Sequence, residues 1–137
     1  MRSGLAAPSV AHVTQILVID DDLATGSLIR EVLSEEGYII LLAEHPDSAP
    51  AGTAPDLVIT DLVGLNRYDS GLARSLVRRL QEHYPSTPIV VCTGYEEALD
   101  DVGRLDAVTV LPKPFSIEDL IQTVTRLAIR PRDDISE

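Results

Sequence analysis

The sequence predicts an α/β fold built on a doubly wound parallel sheet, and three observations predict it. Five short apolar runs, several rich in β-branched residues, recur along the 137 residues, as expected of strands buried on both faces. Helical stripes or their remnants alternate with these runs, the pattern of a parallel sheet covered by helices. Acidic residues, a threonine and a lysine stand where the runs end, and ligands of such folds sit beyond the carboxyl ends of the strands.

Residues 1–13 are rich in small residues, lack periodicity and read as a flexible N-terminal lead. The first strand is Gln15-Ile16-Leu17-Val18-Ile19, followed by Asp20, Asp21 and Asp22, the last a candidate N-cap. Leu28, Ile29, Val32 and Leu33 form a helical stripe that Gly37 ends. Tyr38 to Leu42 is the second strand. Glu44 to Pro55 then holds three prolines and a glycine in twelve positions, so at most one turn of the second helix can form. Leu57-Val58-Ile59-Thr60 is the third strand, ending at Asp61. Leu72, Ala73, Leu76, Val77 and Leu80 form the next stripe, and Ile89-Val90-Val91-Cys92 the fourth strand, ending at Thr93. A short helix over 96–102 and a fifth strand over Ala107 to Leu111 follow, with Lys113 just beyond. Ile117, Leu120, Ile121, Val124, Leu127 and Ala128 give the clearest helix, and residues 131–137 read as a charged tail. The domain therefore spans 14–130.

Composition sets the class. Apolar residues make up 45% and the length suits one core. One cysteine excludes an internal disulfide framework and fits a reducing compartment, here the cytoplasm. No apolar run reaches the roughly 18 residues of a membrane span. A net charge of −11 repels phosphate backbones and anionic lipid, so neither nucleic acid nor membrane is expected as a direct partner. Ten of the eleven basic residues are Arg; the single Lys is Lys113. A compact ammonium differs from a planar guanidinium, and this one stands beside the acids. Cys92 reads as strand packing, and His12, His45 and His83 form no ligand pattern.

Gathered on one rim, these residues share a chemistry. Crowded carboxylates need a cation, oxygen donors with room for water suit Mg²⁺, and a carboxylate can take a phosphoryl group as an acyl phosphate. A lysine ammonium would neutralise the transferring oxygens, and a hydroxyl would hydrogen-bond one of them.

The runs Ile16-Leu17-Val18-Ile19-Asp20-Asp21-Asp22, Asp56-Leu57-Val58-Ile59-Thr60-Asp61-Leu62, Val90-Val91-Cys92-Thr93-Gly94 and Leu111-Pro112-Lys113-Pro114-Phe115 resemble a response-regulator receiver domain of two-component signalling. The resemblance implies a flavodoxin-like strand order 2-1-3-4-5; the second helix, reduced by the prolines of Glu44 to Pro55, departs from the family pattern. It implies that Asp61 is the phosphoacceptor and that Thr93 and Lys113 contact the phosphoryl group. It implies Mg²⁺ held by Asp21, Asp61 and the Val63 carbonyl, with Asp20 acting largely through water. A histidine kinase or phosphotransfer protein would be the donor and a further protein the output partner. The chain would be a phosphoacceptor rather than a turnover enzyme. The few residues after the last helix suggest a stand-alone regulator; a receiver segment of a hybrid kinase and a degenerate receiver that binds without phosphorylation are the alternatives. A phosphatase with Asp20 as nucleophile and Asp22 as acid is a rival from another class. The sequence departs from the family pattern at Gly64 and Leu65, where Met-Pro is usual, at Ser70-Gly71, which comes about two residues late, in the short stretch from Thr93 to Lys113, and at Val110, where an aromatic is usual.

Overall fold

The computed structural model describes residues 14–135; the expected N-terminal lead lies outside them. Within these residues, strands β1 (Gln15–Ile19), β2 (Ile39–Ala43), β3 (Leu57–Thr60), β4 (Ile89–Thr93) and β5 (Val108–Pro112) form one sheet in the order β2-β1-β3-β4-β5. All pairings are parallel. The helices are α1 (Leu23–Glu35), α2 (Ser70–His83) and α3 (Ile117–Ile135). This is the expected doubly wound order.

Strand residues alternate between two cores. Leu17, Ile19, Val58 and Val91 pack with Ala73, Val77 and Leu80 of α2. Ile16, Val18, Leu57, Ile59, Val90 and Cys92 pack with Ile29 and Leu33 of α1 and with Leu120 and Val124 of α3. Because both faces are covered, the runs are continuously apolar rather than alternating.

Several boundaries differ from the sequence reading for local reasons. Tyr38 belongs to the end of α1: its N–H reaches the Leu33 carbonyl, that of Gly37 reaches Ser34, and Gly37 has φ +100°. That paired closure on a left-handed glycine stops the helix. Ala107 has φ +64°, which excludes it from β5. Leu28 and Leu72, expected in apolar stripes, are exposed; Ile29 and Leu33 carry the buried face of α1 and Ala73, Val77 and Leu80 that of α2. Helix α3 runs on to Ile135. The missing N–H of Pro131 removes one helical hydrogen bond there without ending the helix.

Two helices of the alternation are reduced. Pro46–Ser48 forms a single 3-10 turn in place of the second helix, as the prolines require. The short helix expected over 96–102 is two 3-10 turns, Glu96–Asp100 and Val102–Arg104, broken at Asp101 (φ −120°, ψ −92°). The second turn lies directly on β5. A Cβ on Gly103 would stand 3.1 Å from Val110 Cγ2 and 3.2 Å from the Ala98 carbonyl oxygen, so only glycine fits without displacement.

Candidate functional site

Strand register places every candidate residue at one edge of the sheet. The Asp20 N–H donates to the Ala43 carbonyl and that of Asp61 to the Ile19 carbonyl, extending the ladders on either side of β1 by one rung. The Lys113 N–H donates to the Thr93 carbonyl and so locks the end of β5 to the end of β4. Asp20, Asp61 and Lys113 are thus the first residues past their strands, Thr93 is the last of its own, and Asp21 follows Asp20.

The three consecutive aspartates separate by role. Asp22 caps α1: its carboxylate accepts from the Ala24 N–H at 3.1 Å and from the Thr25 hydroxyl at 2.8 Å. Those hydrogen bonds, Thr25 first, hold its carboxyl below the ordinary value. Asp20 is almost wholly buried and accepts from the Asp22 N–H at 2.9 Å. Asp21 is exposed at the rim. Carboxylate oxygens of Asp20, Asp21 and Asp61 lie within 4.8 Å of one another.

Lys113 answers two of these acids. Its Nζ stands 3.4 Å from Asp20 Oδ2 and 3.4 Å from Asp61 Oδ1. Burial works against its charge, but Asp61 and Asp20 outweigh that and hold the ammonium above its ordinary value. Burial pushes the Asp61 carboxyl up; Lys113 opposes this and Asp20 adds to it. Thr93 is buried, and its Oγ1 accepts the Tyr95 N–H at 3.1 Å. Val63 is half-buried and precedes Gly64, which turns the chain at φ +83°. Burial raises the Cys92 thiol to about 12, which fits packing and not nucleophilic use. His45 accepts the Asp47 N–H, and His83 closes α2; neither joins the site.

The sequence reading revealed neither of two contacts near this rim. Tyr68 donates to Asp101 at 2.6 Å across 33 positions, and nothing local in the sequence pairs them. Tyr95 donates to the Leu65 carbonyl at 2.9 Å, a contact no side-chain pattern could reveal because its acceptor is backbone.

Residues 16–125 match the family model of the response regulator receiver domain. The chain belongs to this family. The receiver domain is the phosphoacceptor signalling module of two-component systems. The chain is 35% identical over 125 residues to response regulator MprA of Mycobacterium sp. (strain KMS), a match covering 88% of this chain and 53% of that protein. It thus spans about half the length of such curated relatives. Among solved structures, the receiver domain of NtrX from Brucella abortus superposes with a TM-score of 0.66 at 28% identity, covering 82% of this chain and 97% of that one. A CheY-like response regulator receiver domain protein from Methanospirillum hungatei JF-1 gives a TM-score of 0.72 at 21% identity, over 89% of this chain and 98% of that one, a likeness of fold.

The donor chemistry of this receiver site suits a hard divalent cation. Asp20, Asp21 and Asp61 bring three carboxylates against the single ammonium of Lys113, which leaves the cluster short of positive charge. All the donors are oxygen, and the exposed side of Asp21 leaves room for water, as Mg²⁺ requires. No helix among the described residues is long and apolar enough to cross a membrane.

Proposed function

We propose that Asp61 accepts a phosphoryl group from the phosphohistidine of a histidine kinase or phosphotransfer protein, and that the resulting aspartyl phosphate changes the affinity of this domain, residues 14–130, for a downstream protein. The observation that carries the reading is Lys113 bridging Asp20 and Asp61 at 3.4 Å each, beside the three-carboxylate cluster. An Asp61 oxygen attacks phosphorus in line, the P–N bond breaks, and the leaving imidazole nitrogen keeps the electron pair and takes a proton. Lys113 stays on the carboxylate side and neutralises a transferring oxygen; the Thr93 hydroxyl hydrogen-bonds another. Asp21, Asp61 and the Val63 carbonyl would hold Mg²⁺, with Asp20 acting through water, and the ion would supply charge neutralisation.

The rim fits a protein donor. Leu23 and Ile117, in the first turns of the helices that follow β1 and β5, are 65% and 53% exposed. Large apolar side chains displayed around a charged site suit a partner that must cover it. The net charge of −11 opposes direct nucleic-acid contact by this domain, and we place its action in the cytoplasm.

The test is to incubate the chain with a small phosphoramidate and Mg²⁺ and map the modified residue. Label at Asp61, lost in Asp61→Asn, is expected. Label at Asp20 would favour the phosphatase reading instead, and no label on any aspartate would favour a receiver that binds without phosphorylation.

A further inference from the structure

We infer that Tyr95 is a positioning residue for the chemistry at Asp61, acting as a strut between the Thr93 hydroxyl and the loop that carries the Val63 carbonyl. The inference rests on the function proposed above. Tyr95 touches both sides of the site. Its N–H holds Thr93 Oγ1 at 3.1 Å, and its hydroxyl, reaching across the rim, donates to the Leu65 carbonyl at 2.9 Å. Leu65 stands two residues past Val63, with only Gly64 between them, and glycine at φ +83° is the conformationally freest residue in that turn. Fixing the Leu65 peptide therefore limits where the Val63 peptide can go.

The far side of the strut is itself anchored. The Tyr95 ring lies 5.9 Å from the Tyr68 ring, tilted by 54°. The Tyr68 hydroxyl donates to Asp101 Oδ2 at 2.6 Å, and Arg74 Nε donates to Asp101 Oδ1 at 2.5 Å. Asp101 stands at the break between the two 3-10 turns, so the two tyrosines tie the loop after Asp61 to the segment that replaces a fourth helix. Burial and the neighbouring Asp101 push the Tyr68 hydroxyl up to about 12, which keeps it a donor at neutral pH. Burial would raise the Asp101 carboxyl, but the hydrogen bonds from Ser70, Tyr68 and Arg74 outweigh it and hold the carboxyl low, an acceptor throughout. In the same cluster, Val110 sits under Gly103 and offers no aromatic to brace the loop. Support for the metal-side backbone thus comes from the Thr93 side of the site, through Tyr95.

Linkage makes the strut work in both directions. If it helps hold the Val63 peptide where a cation needs it, cation binding must tighten the Leu65 contact by the same factor.

The test compares the full chain with Tyr95→Phe and Tyr68→Phe, each of which removes one oxygen and keeps the ring. Three quantities are read: amide exchange over 62–70 without metal, the Mg²⁺ dissociation constant by titration calorimetry, and the urea midpoint. In Tyr95→Phe, exchange over 62–70 should quicken and Mg²⁺ affinity fall about fivefold, the worth of one neutral hydrogen bond. The urea midpoint should fall by no more than the loss of one hydrogen bond explains, and added Mg²⁺ should slow exchange over 62–70 less than in the unaltered chain. Tyr68→Phe should do the same more weakly. Unchanged Mg²⁺ affinity in Tyr95→Phe, or a fall in midpoint with unchanged affinity, overturns the inference and leaves Asp61 phosphorylation standing. An unaltered chain that binds no Mg²⁺ and takes no label overturns both.

Discussion

Replacing Lys113 by Met separates the two jobs assigned to this side chain. Its ammonium stands 3.4 Å from an oxygen of Asp20 and of Asp61. At an effective dielectric constant of about 20, each contact amounts to about 5 kcal/mol of gross attraction. Desolvation removes most of it. Exposed pairs net about 0–1 kcal/mol, and breaking a fully buried pair costs about 3–5 kcal/mol. Here the side chains are 28% exposed for Lys113, 23% for Asp61 and 3% for Asp20, between those limits. Loss of the lysine should therefore cost about 2 kcal/mol, which for a chain of this length lowers Tm by about 7 °C. With a divalent cation present the sign reverses. Removing a positive charge from beside the ion's site should tighten Mg²⁺ binding about tenfold, and Mg²⁺ at a hundred times its dissociation constant restores about 2.7 kcal/mol. The variant in excess Mg²⁺ should then melt close to the unaltered protein in EDTA. Labelling at Asp61 should still slow about a hundredfold, since the charge that meets the transferring oxygen is gone. Circular-dichroism melts with EDTA and with Mg²⁺, beside a labelling time course, read all three effects. A Lys113→Met protein as stable as the parent in EDTA, or one that binds Mg²⁺ more weakly, would refute the reasoning.

Two further outcomes follow from the rim and from β5. Leu23→Ala combined with Ile117→Ala should slow transfer from a phosphotransfer protein about tenfold, while labelling by a small phosphoramidate and the Tm stay near the parent's, because both side chains are exposed; equal loss with both donors would count against a docking role. Gly103→Ala should cost about 1–2 kcal/mol by overpacking against Val110 and the Ala98 carbonyl, and adding Val110→Ala should recover only part of it, since the carbonyl contact remains; urea denaturation of the single and double variants checks this.

What could be read from the sequence was whatever depends on strand burial. β1, β3 and the start of β4 follow from apolar runs, and because Asp20, Asp61, Thr93 and Lys113 stand at the ends of such runs, they could be brought to one rim from the sequence. The N-cap role of Asp22 was legible from position, and the loss of the second helix from its prolines. Less legible was anything that depends on a surface or on backbone acceptors. Leu28 and Leu72 match a helical stripe but lie off the faces the sheet buries, a distinction that needs the helix's rotation. Asp101, at the break between the two 3-10 turns, contacts Tyr68 and Arg74, which are remote in sequence. The Tyr95 contact with Leu65 has no side-chain signature at one end.

The same division explains how the site can stand intact while the surroundings change. Asp20, Asp61 and Lys113 take their positions from backbone hydrogen bonds to Ala43, Ile19 and Thr93, one rung beyond the ladders, and those rungs do not involve the second or fourth helix. Shortening these connections to 3-10 turns therefore leaves the carboxylate and ammonium geometry untouched. It does alter what a phosphoryl group can move. Val110 is β-branched and has few rotamers, and Gly103 lies against it, so β5 is a poor outlet for a conformational change. The loop over 62–69 and the turns over 94–104 are joined by the Tyr68–Asp101 bond and by the neutral hydrogen bond from Tyr95 to the Leu65 carbonyl, which can break and reform at small cost. A switch needs two arrangements of similar free energy with different partner affinity, and in this chain the contacts weak enough to provide them lie on that side of the rim.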